Sequence, residues 1–276
     1  MVPFFIKELV KAGVDSIGVL GSTGNYAHLS RGERLRVLEL AVSSAEGIPV
    51  MTSIRAIRTS EVLRLAEDVQ QAGASAVLLA PISYQALTDE EVFFLYEHVT
   101  SSLSIPLCVY DNPVTSHFHF SDELHSKIAR LPNVCSIKIP VIPSESDKAK
   151  LRVEKLRAVI PLHVTFGISG NPSAYLGLSA GCDLWYSVLG GLFPRLCLDI
   201  TRMTQSGHLE EAQHLSKLLE PIWKLFNSYG SLRVISAAAE IIGLIKSPSL
   251  PLPLQPLNKS VRNHLNIILK ELKFTV

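Results

Sequence analysis

The chain has 276 residues, 47% of them hydrophobic, and a formal net charge of +1. That is enough to bury a large core in one or two domains, and a balanced charge without a basic stripe excludes the electrostatic footprint of a nucleic-acid binder. No apolar run reaches the ~18 residues of a membrane span, and the start, Met1-Val2-Pro3-Phe4-Phe5-Ile6-Lys7, lacks the basic region and cleavage site of a signal peptide. Cys108, Cys135, Cys182 and Cys197 stand at no metal-site spacing and read as core thiols of a reducing compartment, so a cytoplasmic location is expected.

Residues 2–12 read as a first helix, stopped at Gly13. Short apolar runs over 16–20, 49–53, 76–80, 106–110, 134–139, 163–167 and 183–188 then read as strands, their starts about 20 to 33 residues apart, the size of a βα unit. The stretches between them are amphipathic. Ser30 with Glu33 forms a capping box before Leu35, Val37, Leu38 and Leu40. Thr59-Ser60-Glu61 and Thr88-Asp89-Glu90-Glu91 open the next two helices, while Gly47 and Gly73 sit where helices give way to strands. This alternation implies an all-parallel sheet, either doubly wound or closed as a (β/α)8 barrel.

Seven strands are found, and a closed barrel needs one more before the helix at 2–12. So either the sheet is open, or the chain is a (β/α)8 TIM barrel lacking its first strand. An unpaired seam would then separate its first and last strands, and exposed edges invite aggregation. A misplaced start or truncated gene, with poor solubility, is the expectation. From about Thr204 the pattern becomes helical, over 209–228, 231–245 and 259–272. Ser247-Pro248-Ser249-Leu250-Pro251-Leu252-Pro253-Leu254-Gln255-Pro256 is too proline-rich for regular structure and reads as an extended segment. The chain divides into a barrel, 1–203, and a C-terminal helical region, 204–276.

Lys138 is the most informative residue. It lies within Val134-Cys135-Ser136-Ile137-Lys138-Ile139-Pro140, a strand otherwise apolar. Such a lysine either snorkels to solvent at the strand end or is an amine kept neutral to attack a carbonyl. Burial among Val134, Ile137 and Ile139 is expected to favour the neutral form. Its companions decide between the readings. In a (β/α)8 barrel the reactive groups gather where strands end. The first strand ends in Gly21-Ser22-Thr23-Gly24-Asn25-Tyr26, a turn whose hydroxyls and backbone N–H groups suit a small anion. The fourth ends in Tyr110-Asp111-Asn112-Pro113. Gly167-Ile168-Ser169-Gly170-Asn171 follows the sixth, and Tyr186-Ser187 ends the seventh. Singly these are turns and packed aromatics. Together they place an anion-binding turn, a phenol and an amine on one face, the requirements of an aldolase that forms an imine with its own lysine.

The chain resembles the pyruvate-dependent class I aldolase family that includes dihydrodipicolinate synthase and N-acetylneuraminate lyase. The resemblance runs from near residue 1 to about Leu272. It rests on Gly21-x-x-Gly24, Tyr110-x-x-Pro113, the Lys138 strand, Ala180-Gly181-Cys182-Asp183, and Gly243-Leu244-Ile245 followed by Leu252-Pro253. It implies that the fold is the (β/α)8 TIM barrel lacking its first strand, that Lys138 is the Schiff-base lysine and that Tyr110 shuttles protons. It also implies that Ser22 and Thr23 hold the pyruvate carboxylate, and that Tyr186 lies where the backbone touches pyruvate. The departures concern the acceptor. Thr115 stands where the synthases carry an arginine, Asn25 replaces the usual glutamate, and Asn171-Pro172 replaces the Asp-Glu pair of the lyases. Ser83, with Tyr84 one step off, stands where the synthases place a tyrosine that reaches a neighbouring subunit. Asn25, Thr115 and Asn171 are the candidate acceptor-site residues.

The expected partners are thus a 2-oxo acid and an aldehyde, handled without metal or organic cofactor, in a homo-oligomer that the resemblance makes a tetramer. The expected activity is a Schiff-base lyase of divergent substrate. The alternatives are 4-hydroxy-tetrahydrodipicolinate synthase proper, a non-catalytic 2-oxo-acid binder, or a doubly wound binding protein. His117-Phe118-His119 has a spacing compatible with metal but reads as a surface segment after a proline-led turn. Asp89-Glu90-Glu91 reads as an acidic first helical turn. No Gly-x-Gly-x-x-Gly fingerprint is present.

Overall fold

The computed structural model describes residues 1–272; the last four residues of the 204–276 region lie outside the described residues. The strands are β1 Ile17–Val19, β2 Val50–Ser53, β3 Ala76–Leu79, β4 Leu107–Tyr110, β5 Val134–Ile139, β6 Thr165–Ile168 and β7 Leu184–Trp185. All pair in parallel and in chain order, each with the next. Among the described residues β1 and β7 form the sheet's two edges. The sheet curls: the Tyr186 hydroxyl, just past β7, reaches Cys108 on β4 and Ser136 on β5. It is a (β/α)8-type barrel wall of seven strands, as the strand count required.

The helices are α1 Val2–Ala12, α2 Arg31–Ser44, α3 Thr59–Gln71, α4 Asp89–Ser101, α5 Pro113–Ser116, α6 Asp122–Ile128, α7 Ser146–Val159, α8 Ala174–Ser179 and α9 Pro194–Gln205. Beyond them lie α10 Leu209–Leu218, α11 Glu220–Tyr229, α12 Ser231–Ile241 and α13 Lys259–Glu271. Both expected acidic starts are complete capping boxes: the carboxylates of Glu33 and Glu91 each accept from the backbone N–H of Ser30 and Thr88, at 2.8 Å. Each such cap stabilises its helix by about 0.5–2 kcal/mol. Gly13 ends α1 in the left-handed region, at φ 78°, where a side chain would be strained.

Strand alternation sorts the side chains into two layers. Val77, Leu79, Val109, Ile137, Ile139 and Phe166 face the helices within the main apolar cluster. Fully burying each aliphatic side chain there contributes about 1.5–3 kcal/mol. The alternate positions, Met51, Leu78, Ala80, Cys108 and Tyr110, join Tyr186 on the inner face. A separate apolar cluster joins α9 to the C-terminal helices through Phe193, Ile200, Trp223, Phe226 and Leu265.

The structure departs from the expected elements in four places. The helix expected over 209–228 is two, α10 and α11, because Pro221 stands in the first turn of α11, the position where its missing N–H does no harm. The helix expected over 231–245 stops at Ile241, with Gly243 at φ 80° just beyond. β7 is two residues long because the Val188 and Leu189 N–H groups donate to the Asn171 side chain rather than to a strand. Cys135 is exposed, unlike the buried Cys108, Cys182 and Cys197. The β4–β5 register shifts between Leu107 and Cys108, which leaves Cys135 without a partner residue across the pair.

Candidate active site

Lys138 and Tyr110 are direct register partners on β5 and β4, and Gly167 on β6 is the next partner along. Neighbouring parallel strands lie about 4.8 Å apart, so the register alone brings amine and phenol together. The Lys138 Nζ lies 4.2 Å from the Tyr110 ring centroid and 5.3 Å from that of Tyr186. The isoleucines expected to surround the lysine do not: Ile137 and Ile139 point to the helices, and Lys138 is half-buried on the inner face. The period of two along a strand sends alternate side chains to opposite faces, so sequence neighbours are not spatial neighbours. Phenol rings, not isoleucines, line the amine.

Tyr110 is buried, and its hydroxyl accepts a 2.8 Å hydrogen bond from Asn112 Nδ2. That leaves the phenolic proton free to be given away. Tyr186 forms the floor. Its hydroxyl lies 2.7 Å from Ser136 Oγ and 3.2 Å from Cys108 Sγ, and Thr165 donates to Ser136 at 3.0 Å. Burial pushes the Tyr186 phenol well above its ordinary value, and Cys108 beside it adds to the effect. Burial likewise raises the Cys108 thiol. Both stay protonated, so the floor beneath Lys138 is neutral. The Tyr186 N–H donates to Ile168 O at 2.9 Å.

Gly167 makes this floor possible. A Cβ at Gly167 would lie 2.6 Å from Leu184 Cγ, 2.7 Å from Leu184 O and 2.9 Å from Tyr186 Cε2.

Ser22 and Thr23 sit half-buried in the 3-10 turn Ser22–Gly24, directly after β1, with Asn25 in the left-handed region at φ 55°. α12 packs against this turn from the C-terminal region. The turn is tied to the phenol through Arg55, a residue the sequence reading missed. Arg55 continues the inward-facing series Met51, Ser53 past the end of β2 and is 1% exposed. Its Nε donates to Ser53 Oγ at 2.9 Å and its Nη1 to Ser22 Oγ at 3.4 Å. Its guanidinium carbon lies 4.0 Å from the Tyr26 ring centroid and 5.2 Å from that of Tyr110. The signal was available: Arg55 lies two residues beyond Ser53, on the strand's inner face. Asn112 was equally readable as the residue two beyond Tyr110.

The three candidate acceptor residues have different surroundings. Thr115 is exposed on α5. Asn25 keeps a buried carboxamide oxygen with no hydrogen-bond partner. Asn171 is buried, and its oxygen accepts from the Val188 and Leu189 N–H groups at 3.0 and 3.4 Å. Its oxygen is thus committed to holding the backbone after β7. His117 and His119 are exposed. No group of three or more metal-ligating side chains occurs among the described residues.

On the outer side of the same strand end, Asp111 donates its N–H to Lys138 O at 3.0 Å. Its carboxyl faces His125 of α6, Oδ2 to Nε2 3.5 Å, and neither side chain makes a hydrogen bond. Burial raises Asp111 to about 7, partly opposed by Arg152. Burial lowers His125 to about 4. Desolvation thus favours the uncharged form of both groups.

The model of the Dihydrodipicolinate synthetase family matches residues 3–272. A crystal structure of dihydrodipicolinate synthase from Agrobacterium tumefaciens str. C58 is 40% identical and superposes with a TM-score of 0.94, covering 98% of this chain and 91% of that one. A putative dihydrodipicolinate synthetase from Pseudomonas aeruginosa is 29% identical, with a TM-score of 0.87 and coverage of 98% and 91%. The 4-hydroxy-tetrahydrodipicolinate synthase of Brucella abortus biovar 1 is 28% identical over 254 residues, 88% of this chain and 83% of that protein. This chain belongs to the dihydrodipicolinate synthetase family and is a lyase of the lysine Schiff-base aldolase class.

Proposed function

We propose that Lys138 is the Schiff-base nucleophile and Tyr110 its proton relay, in an enzyme that makes or breaks a carbon–carbon bond next to a 2-oxo acid. The observation that carries this is the Lys138 Nζ held 4.2 Å from the ring of its register partner Tyr110, at the C-terminal ends of β5 and β4. The amine adds to the ketone carbon of the 2-oxo acid, and Tyr110 gives a proton as water leaves. The resulting iminium draws electrons from the adjacent carbon. In synthesis that carbon loses a proton and the enamine adds to an aldehyde. In cleavage the 4-hydroxyl gives up its proton, the C3–C4 bond breaks and the aldehyde departs; the enamine left behind takes a proton at C3, and water then releases the acid. Ser22 and Thr23 hold the carboxylate, while Tyr186 and Ser136 form a floor that does not ionise. The chemistry needs neither metal nor organic cofactor.

Borohydride reduction in the presence of pyruvate, followed by mass spectrometry, tests this reading. A reduced adduct on Lys138, absent in Lys138→Ala, is expected. No adduct across a range of pH values and 2-oxo acids would favour a non-catalytic binder. The aldehyde is found by assaying pyruvate release from a panel of 2-oxo-3-deoxy sugar acids. The names of the curated relatives favour a second reading, 4-hydroxy-tetrahydrodipicolinate synthase itself. Thr115, exposed where the resemblance puts an acceptor-gripping arginine, weighs against it.

The barrel, 1–203, carries this chemistry, and the region from 204 to 276 braces it through α12 at the Ser22 turn. The same reading makes this a cytoplasmic enzyme; no described helix is long and apolar enough to cross a membrane. Ile57, Tyr84, Val114 and Val141, each 64% exposed or more, ring the loops after β2 to β5. Covering them with a second copy of the chain fits a homo-oligomer, a tetramer by resemblance, which sedimentation velocity would count.

A further inference from the structure

Arg55 is a buried cation without an anion. Among the described residues no carboxylate lies within ion-pair distance of it, whereas Arg31, Arg152 and Arg262 each pair with one. Its Nη2 is buried with no hydrogen-bond partner at all. Burial works against its charge, and Tyr26, Tyr110 and Tyr96 around it offset this only in part. An unpaired buried charge is costly and is kept where something else supplies the opposite charge. Its one contact with a proposed substrate-binding group is the donation from Nη1 to Ser22 Oγ. A hydroxyl that accepts from a guanidinium has its own proton free to donate.

We infer that Arg55 is the cationic component of the carboxylate subsite: it polarises the Ser22 hydroxyl, which donates to the substrate carboxylate, and it supplies the positive charge that the Ser22-Thr23 turn lacks. Arg55 is thus a specificity-determining residue that selects a 2-oxo acid over its uncharged ester. The inference rests on the proposed Schiff-base reading for the identity of the donor. It separates from that reading because anion binding does not require the lysine. A purely structural Arg55, wedged between two tyrosines, would make no distinction between charged and uncharged ligands.

The experiment measures the concentration of pyruvate, and separately of methyl pyruvate, that gives half-maximal borohydride-trapped adduct on Lys138. Wild type, Arg55→Gln and Arg55→Lys are compared, with circular dichroism to confirm folding. In Arg55→Gln the pyruvate concentration is expected to rise about 10- to 100-fold, the range for losing a charged hydrogen-bond partner, while the methyl pyruvate value changes little. Arg55→Lys keeps the charge, is the variant to rely on if the glutamine protein does not fold, and should recover part of the preference for pyruvate over its ester. Equal shifts for acid and ester in the variant that folds, or no shift, overturn the inference. If wild type traps neither compound, the Schiff-base reading fails instead. Arg55 is then judged by whether pyruvate raises the melting temperature of Lys138→Ala and no longer does so in Lys138→Ala with Arg55→Gln or Arg55→Lys. No rise in Lys138→Ala, or an equal rise with and without the Arg55 change, overturns it.

Discussion

Asn112 and Gly167 show how single residues shape the candidate site. Asn112 donates to the Tyr110 hydroxyl at 2.8 Å and so fixes which way the phenolic proton points. Asn112→Ala should lower kcat about 5- to 10-fold, the worth of one neutral hydrogen bond. Tyr110→Phe should lower kcat by about 10²–10⁴, the range of a lost proton-transfer group, with little change in KM. Steady-state kinetics on the two variants separates positioning from transfer. Gly167 acts by absence. Its Cβ would press within 2.7 Å of the Leu184 carbonyl and 2.9 Å of the Tyr186 ring, and a backbone carbonyl cannot step aside. Gly167→Ala should therefore cost about 1–3 kcal/mol of stability through overpacking, and should weaken adduct formation as Tyr186 shifts. Urea unfolding and borohydride trapping measure the two effects.

At the scale of elements, the contact between the end of β4 and α6 holds one proton in an unusual place. Unfolded, at pH 5, Asp111 is ionised and His125 charged. Folded, Asp111 holds its proton to about pH 7 and His125 sheds its own down to about pH 4. Folding thus moves a proton from imidazole to carboxyl and changes the total bound by almost nothing between pH 4 and 6.5, the window set by the His125 shift. In that window the two contributions to the pH slope of stability are equal and opposite. Removing one exposes the other. In Asp111→Asn the unfolded chain binds the extra His125 proton, so stability should rise with pH by up to about 1.4 kcal/mol per unit and level off near pH 6.5. In His125→Asn the folded chain binds the extra Asp111 proton, so stability should fall with pH by a similar slope and level off near pH 7. Urea titrations at several pH values, taken as variant minus wild type, decide this. Equal pH dependence in both variants would sink it. Arg152, paired with Asp122 at 2.6 Å, and the Phe120 ring stacked 4.9 Å from His125 enclose the pair.

Across the whole molecule, stability is set by position around the sheet. β4 and β5 lie at the centre, pair on both sides and bury both layers; among the described residues β1 and β7 pair on one side only. Gly18, exposed on β1, should exchange its amide hydrogen orders of magnitude faster than Val109 or Ile137, both fully buried. Native-state hydrogen exchange reads this directly, and uniform protection around the sheet would contradict it. The edges are nonetheless drawn together. Arg202 on α9, after β7, reaches Asp15 before β1 at 2.6 Å, and α1 packs against α9. The exposure of that ion pair makes it a marker of curl rather than a source of stability.

Strand spacing, capping boxes and turn glycines are local matters, so the amino-acid order alone was enough for the seven strands, the all-parallel sheet and the starts of α2 and α4. It was also enough to single out Lys138, Tyr110 and the Ser22-Thr23 turn, because polar groups at strand ends stand out against apolar runs. Helix boundaries were harder to place: Pro221 in a first turn still permits a helix, and only packing decides whether one continues or another begins. Which residues surround Lys138 was also decided in three dimensions. The pleat turns Ile137 and Ile139 away, and the register brings in Tyr110 and Gly167 from strands about thirty residues distant on either side. Arg55 and the Asp111–His125 pair gain their character from desolvation, which depends on what the folded chain packs against each group, and no local pattern records that.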